Sequence, residues 1–148
     1  MQRAVWTQPQ PFEELEHTAD AGIRVHGDSA AEVLARLILG HAQFLCGGGP
    51  LHRAGRTRVD VAPAPDLALI AVDVLRELHA RFDTHGWIAE SVHVHALSEQ
   101  QGAAVSVDYA HFEPELHGEG TDIKAITYHA AELERENGGW VGQIIFDI

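Results

Sequence analysis

Residues 29–50, Ser-Ala-Ala-Glu-Val-Leu-Ala-Arg-Leu-Ile-Leu-Gly-His-Ala-Gln-Phe-Leu-Cys-Gly-Gly-Gly-Pro, contain a helix together with the signals for both of its ends. The Ser29 hydroxyl and the Glu32 carboxylate form a capping box, which satisfies two backbone N–H groups that a helix start leaves without partners. Apolar residues then recur on one face until the glycines before Pro50 stop the pattern: Val33, Leu34, Leu37, Ile38, Phe44 and Leu45. The sequence therefore predicts a first helix over residues 29–45.

A second helix is predicted from Asp66 to about Gly86. Its buried stripe consists of Leu67, Ile70, Ala71, Val74, Leu78 and Phe82. Elsewhere apolar and polar residues alternate, as they do in strands: twice within residues 12–27, then around Val59, Val92, Val105, Ile126 and Ile144. Short turns such as residues 136–139 make neighbouring strands antiparallel. We therefore expect an α+β fold of two layers, in which a mostly antiparallel sheet carries two helices on one face.

The length of 148 residues is suited to one domain with one core. We expect residues 1–11 to be a loose N-terminal extension and residues 12–148 to form that domain. The extension has no apolar stretch of the kind found in signal peptides or membrane-spanning helices. Cys46 is the only cysteine, which excludes an intrachain disulfide and fits a cytoplasmic location.

The net charge of the chain argues against direct binding of nucleic acid. Ten Lys and Arg residues stand against 22 Asp and Glu residues, a formal net charge of -12, which repels a phosphate backbone. The same charge favours a basic protein surface or a divalent cation as partner. Motifs of nucleophilic hydrolases and of phosphate-binding loops are missing from the sequence. The sequence therefore gives no support to a self-sufficient hydrolase or kinase.

The last segment, Gly142 to Ile148, alternates as a strand up to the final residue. Chain ends usually fray unless something holds them. A strand here brings the Asp147 carboxylate and the terminal carboxylate of Ile148 within one residue of each other, and Asp20 would add a third. Such oxygen donors favour calcium, magnesium or manganese. The alternative interpretation is a solvated end with two unpaired charges.

Other polar residues have both a functional and an ordinary interpretation. Residues 17–22 lie between two predicted strands, where they either present ligands or simply build a turn. Lys124 and His129 lie in a strand-like segment, where a surface lysine and a satisfied histidine explain them on local grounds. His93 and His95 share the strand face that points away from the core, and without a third ligand nearby we interpret them as surface residues.

Three separated blocks of the sequence resemble the signature of the archease family. They are Phe12-Glu-Glu-Leu-Glu-His-Thr-Ala-Asp-Ala-Gly22, Asp122-Ile-Lys-Ala-Ile-Thr-Tyr-His129 and Phe146-Asp-Ile148, and they occur in the family's order. The segment from Asp66 to Gly86 also resembles the acidic, leucine-rich second helix of archeases, so that the likeness covers nearly all of the chain after Gln10. The sequence departs from the family at Ala21, where a branched apolar residue is usual, and in residues 41–58, which are rich in Gly and His.

The resemblance implies an accessory protein rather than an enzyme. Archeases activate the GTP-dependent RNA ligase that joins 3′-phosphate or 2′,3′-cyclic phosphate ends to 5′-hydroxyl ends in tRNA splicing and RNA repair, and they promote its guanylylation and multiple turnover. When the sequence blocks are matched position by position, the metal ligands of the family correspond to Asp20, Asp147 and Ile148. The positions linked to partner activation fall on Lys124, His17 and His129. The resemblance thus predicts a divalent cation as cofactor and the RNA ligase as partner, with no direct binding of nucleic acid or membrane.

Two other function classes remain open at this point. One is a chaperone-like modulator of RNA-modifying enzymes such as tRNA methyltransferases, which needs neither metal nor GTP. The other is a metal-dependent phosphoesterase, for which three carboxylates would supply the metal ligands but for which no general base is evident beside them.

Overall fold

The computed structural model describes residues 5–16, 20–118 and 120–148, in which strands and helices are mixed along the chain. The elements are β1 (Val5–Thr7), β2 (Glu13–Glu16), β3 (Asp20–Gly27), α1 (Ala30–Leu45), β4 (Gly55–Val61), α2 (Leu67–His85), β5 (Trp87–Ser98), β6 (Gly102–His111), α3 (Pro114–His117), β7 (Ala125–Glu136) and β8 (Gly139–Asp147).

Both predicted helices are confirmed, together with the signals that start them. The Glu32 N–H donates to Ser29 Oγ over 3.1 Å, and the Glu32 carboxylate accepts from the Asp28 N–H over 2.8 Å. At the start of α2, Asp66 accepts from the backbone of the second helical residue, and Gly86 ends the helix in the left-handed region with φ 72°. Within the described part of the chain, no helix combines the length and the apolarity that crossing a membrane requires.

The α+β class and the antiparallel pairing of the strands are confirmed, but the layers differ from the prediction. The strands form two four-stranded sheets, where one was expected: sheet A has the order β1-β5-β6-β4 and sheet B the order β2-β3-β8-β7. Helices α1 and α2 each contact strands of both sheets rather than covering one face of a single sheet. The reason lies in α1, which buries Ala35 and Leu39 in addition to the predicted stripe and is therefore apolar on more than one side.

Part of the N-terminal extension that was predicted to be loose is a strand of sheet A. Val5, Trp6 and Thr7 pair antiparallel with β5. Such β-branched and aromatic residues favour strands. Trp6 also packs against the core, and its Nε1–H donates to Glu32 Oε2 over 3.3 Å. The indole thereby ties the extension to the first turn of α1.

The pairing of β3 with β8 leaves no room for a side chain at Gly22. A Cβ added there would lie 2.6 Å from the backbone oxygen of Ile144, which cannot move without disturbing the strand pair. We therefore expect Gly22→Ala to lower the free energy of unfolding by about 1–3 kcal/mol in urea titrations. Gly40→Ala is the comparison, because its Cβ would meet the movable end of the Ile23 side chain at 2.8 Å. Equal losses in the two variants would contradict the backbone clash.

Candidate functional site

Two carboxylates meet at one end of sheet B. Asp20 is the first residue of β3, and the antiparallel register sets it directly opposite Asp147 of β8. Opposed residues point to the same face of a sheet, with Cα atoms about 4.5–5.5 Å apart. Asp20 is half-buried and Asp147 is exposed, and within the described part of the chain neither carboxylate has a hydrogen bond or an ion pair. Like charges in this arrangement repel, which makes the pair a candidate for binding a cation.

Strand β7 brings a lysine to the same end of the sheet. Ala125 pairs with Asp147 on the side away from Asp20, and the Lys124 N–H donates to the Asp147 carbonyl over 2.8 Å. The Lys124 side chain is exposed and forms no ion pair with any described residue. Ile148 follows Asp147 directly and packs partly against the core. Of the predicted site residues, the fold thus brings together Asp20, Asp147, Ile148 and Lys124.

The donor atoms at this end of the sheet fit a hard cation better than a transition metal. Among the described residues, no three side chains of His, Cys, Asp or Glu are grouped closely enough to hold a metal ion. The predicted set contains only two such side chains, Asp20 and Asp147, and its third member is the terminal carboxylate of Ile148. All of these donors are carboxylate oxygens, the ligands that calcium and magnesium prefer. The metal site therefore stays a prediction.

The two predicted histidines differ in what the structure describes of them. His17 lies outside the described residues. His129 is exposed and lies in a bulge, because the register of β7 with β8 is interrupted between Thr127 and Glu132. The strict alternation expected for this segment is therefore wrong beyond Thr127. The Gln143 side chain donates to the Ala130 carbonyl over 2.9 Å and holds the bulge.

The bulge also carries an exposed aromatic residue beside the site. The Tyr128 hydroxyl donates to Asp73 Oδ1 over 2.6 Å, and the Arg76 guanidinium lies 4.0 Å from the centre of the Tyr128 ring. The hydrogen bond to the Asp73 carboxylate raises the pKa of Tyr128. The Arg76 Nε–H also donates to the Ile126 carbonyl over 2.9 Å. Helix α2 thus fixes the part of β7 that follows Lys124.

A buried pair of histidines, which the sequence reasoning missed, contacts residues next to the site. His41 Nε2 lies 3.1 Å from His79 Nδ1, and His79 Nε2 lies 3.0 Å from the Ile123 carbonyl oxygen. Because a carbonyl only accepts, His79 Nε2–H donates to it, and for neutral rings His79 Nδ1 then accepts from His41 Nε2–H. The pair therefore links α1 and α2 to the residue that precedes Lys124. The His41 ring also packs against Phe146, the neighbour of Asp147.

A signal for this pair was present in the sequence. His41 follows Leu37 by four residues and His79 follows Leu75 by four, so both lie on the apolar sides of their helices. Burial, and secondarily the neighbouring His79, lowers the pKa of His41 to about 3. His41 is consequently neutral in the folded protein at any ordinary pH.

Comparison with known proteins identifies the family of the chain. A sequence profile of the Archease protein family (MTH1598/TM1083) matches residues 12–148. The chain belongs to the archease family. Protein archease of Methanosarcina mazei is 32% identical over 146 residues, which cover 96% of this chain and 99% of that relative.

The archease fold is also seen in the solved structures that this chain resembles. One is the solution structure of Methanobacterium thermoautotrophicum protein 1598, with a TM-score of 0.75 and 24% identity over 93% of this chain and 98% of that one. The other is the crystal structure of a Thermotoga maritima archease described as a possible chaperone, with a TM-score of 0.58 and 20% identity over 95% of this chain and 98% of that one. At these identities the likeness establishes the fold.

The neutral, buried His41 predicts that this archease loses stability in mild acid. The unfolded chain takes up a proton at this histidine below its ordinary pKa of 6.5, whereas the folded chain takes it up only near pH 3. The stabilisation of the folded chain by neutral His41 is therefore complete above pH 6.5, and it is lost as the pH falls from there towards 3. Between pH 7 and pH 5 the free energy of unfolding should fall by about 2 kcal/mol through His41.

Urea titrations across this pH range test the effect. His41→Gln keeps a hydrogen-bond donor but does not titrate, so its free energy of unfolding should depend less steeply on pH. His129→Gln makes the same chemical change at an exposed position and should leave the slope unaltered. If His41→Gln keeps the full slope, the acid sensitivity arises elsewhere.

Proposed function

We propose that this archease activates a GTP-dependent RNA ligase that joins 3′-phosphate or 2′,3′-cyclic phosphate ends to 5′-hydroxyl ends. One observation carries the proposal: the three segments that resemble the family signature meet at one end of sheet B. Asp20 comes from the first segment, Lys124 from the second and Asp147 from the third, and they are joined by strand pairing and by the Lys124 N–H to Asp147 carbonyl bond. Segments far apart in the sequence thus contribute to one exposed surface.

The charges on this surface suit a protein partner better than a nucleic acid. The chain carries a net charge of -12, and the opposed Asp20 and Asp147 add local negative charge at the site. An RNA-binding cleft of a ligase is basic, so that an acidic accessory protein is attracted to it while RNA itself is repelled. In this proposal the RNA is bound by the ligase alone, in the cytoplasm, during tRNA splicing and RNA repair.

Asp20, Asp147 and the terminal carboxylate of Ile148 are the groups that would hold a divalent cation, whether calcium, magnesium or manganese. When bound, such an ion would supply positive charge to offset that of nucleotide phosphates. The pairing of β3 with β8 holds the two aspartates in a fixed relation, so that no ordering of a loop is needed. Lys124 lies next to them with a side chain that no described residue engages, and it is available to contact the partner or the nucleotide.

A chaperone-like role is the second candidate. It is favoured by the description of the Thermotoga maritima archease as a possible chaperone. In that case the chain would modulate enzymes such as tRNA methyltransferases through surface contacts, and neither a metal nor GTP would be required. The two proposals differ in whether the carboxylate pair matters.

Removing one carboxylate of the pair should distinguish the ligase-activating role from the chaperone-like role. We expect Asp20→Asn and Asp147→Asn to fold normally, because neither residue belongs to the buried core. Each variant should bind the divalent cation at least ten-fold more weakly, a loss of about 1.4 kcal/mol or more. Calorimetric titration with calcium, magnesium and manganese measures the affinity, and a GTP-dependent labelling time course of the ligase measures activation.

Asp28→Asn is the matched control, since Asp28 is an exposed aspartate just beyond the other end of β3. It makes the same change of charge and should alter neither cation binding nor labelling. If the variants at Asp20 and Asp147 lose the cation but still accelerate guanylylation at the parent rate, the carboxylate pair has no part in activation. The chaperone-like role, which depends on surface contacts alone, would then be preferred.

Lys124→Ala should have a different effect from the aspartate variants. A cationic side chain does not ligate a metal ion, so cation affinity should stay at the parent level or rise slightly. Ligase labelling should nevertheless slow, because the side chain is proposed to contact the partner or its nucleotide. Unchanged labelling would remove Lys124 from the activating surface.

A further inference from the structure

Three side chains on one side of α2 hydrogen-bond in succession to the segment around Lys124. They are spaced three residues apart, so that they lie one above another along the helix: Asp73, Arg76 and His79. Their partners follow in the reverse order along the chain: the Tyr128 hydroxyl, the Ile126 carbonyl and the Ile123 carbonyl. Helix α2 therefore runs in the opposite direction to this segment and is joined to it at each of these points.

The backbone at Lys124 is held on both sides. The α2 side chains lie 3.0 Å from the Ile123 oxygen and 2.9 Å from the Ile126 oxygen. Between these two carbonyls, the Lys124 N–H donates to the Asp147 carbonyl over 2.8 Å. These hydrogen bonds together define the path of the backbone from which the Lys124 side chain projects.

Strand pairing alone gives this segment little support. Residues 121–124 belong to no strand or helix, and β7 is an edge strand of sheet B, so that only one of its sides pairs with a neighbour. At this end, β7 pairs with β8 at Ala125, Ile126 and Thr127 before the register is interrupted. The side chains of α2 therefore supply restraints that the sheet does not.

Arg76 contacts this segment twice. In addition to its bond to the Ile126 carbonyl, its guanidinium lies 4.0 Å from the centre of the Tyr128 ring, within the range of a cation–π contact. Arg76 is exposed, yet within the described part of the chain it has no ion pair, so that a surface ion pair does not explain it. A charged donor also forms a stronger hydrogen bond to a carbonyl than a neutral donor does. These contacts assign Arg76 to holding β7 in place.

We propose that Arg76 is a positioning residue for Lys124. By holding the Ile126 carbonyl, while His79 holds the Ile123 carbonyl, Arg76 fixes the backbone that presents the Lys124 side chain to the ligase. This inference rests on the proposed function, in which Lys124 contacts the partner or its nucleotide. A backbone that is ordered before binding lowers the entropic cost of forming that contact. Arg76 acts through Lys124 and needs no contact with the ligase of its own.

Amide hydrogen exchange of the archease alone tests whether Arg76 restrains this segment. Arg76→Met keeps the apolar stem but removes the donor, so the Lys124 amide should exchange about ten-fold faster. Amides in the pairing of β3 with β8 should exchange at the parent rate. Arg81→Met is the matched control, because Arg81 lies on the same helix but pairs with Glu77 of that helix. It should leave the Lys124 amide unchanged.

Ligase labelling with GTP, at saturating archease, tests whether the restraint acts through Lys124. Arg76→Met should slow labelling about five-fold, and Arg76→Lys should restore most of the rate, because lysine keeps a cationic donor within reach of the carbonyl. The double variant, Arg76→Met with Lys124→Ala, should label no more slowly than Lys124→Ala alone. If the two effects multiply instead, Arg76 contributes independently of Lys124 and the positioning role is wrong.

The two measurements distinguish a failure of this inference from a failure of the proposed function. If the Lys124 amide exchanges at the parent rate in Arg76→Met, or if all amides become faster together, Arg76 is not a positioning residue. If exchange at Lys124 alone becomes faster but Lys124→Ala labels at the parent rate, the restraint exists while the proposed function has assigned the wrong role to Lys124. Faster local exchange, slower labelling and a non-additive double variant support both.

Discussion

The antiparallel pairing of β3 with β8 is the constraint on which the rest of the structure depends. It runs from Asp20 opposite Asp147 to Gly27 opposite Trp140 without a register shift. A slip by one residue would turn the core side chains of both strands to the outer face, so the buried face fixes the register. The same register therefore decides the packing of Phe146 inside and the meeting of the two carboxylates at the end of the sheet.

Of the two long helices, α1 packs against both strands of this pair, whereas α2 packs against the neighbouring β7 and against sheet A. Their contact is not purely apolar, since the His41 to His79 hydrogen bond crosses from α1 to α2 and continues to the Ile123 carbonyl. A buried polar chain of this kind is favourable only when its members are hydrogen-bonded, and burial keeps His41 neutral within it. This chain of hydrogen bonds connects the packing of the core to the position of Lys124. Because His41 is neutral in the folded protein, the connection is sensitive to acid.

Along β3 and β8, on the outer face of sheet B, one charged side chain has partners whereas two others have none among the described residues. Arg24 on β3 lies between partners, with Glu132 Oε2 at 2.5 Å and Gln143 Oε1 at 2.9 Å, so that acid and base are matched there. At the end of the same strands Asp20 and Asp147 face each other, and neither forms an ion pair with a described residue. Local repulsion that folding does not relieve is typical of sites that bind a ligand. These two carboxylates lie at the end of sheet B where the three signature segments converge.

The sequence by itself determined most of the local structure: the limits of both helices, the strand segments after β1 and the α+β class, because capping residues, glycines and apolar periodicity act over a few residues. Through the resemblance to family motifs, it also predicted Asp20, Lys124 and Asp147 as site residues. Only the tertiary structure decided that the strands form two sheets which both helices contact, that His129 lies in a bulge, and that His41 and His79 meet. Those features depend on contacts between residues far apart in the chain, and a local pattern carries no information about which buried faces will pack together.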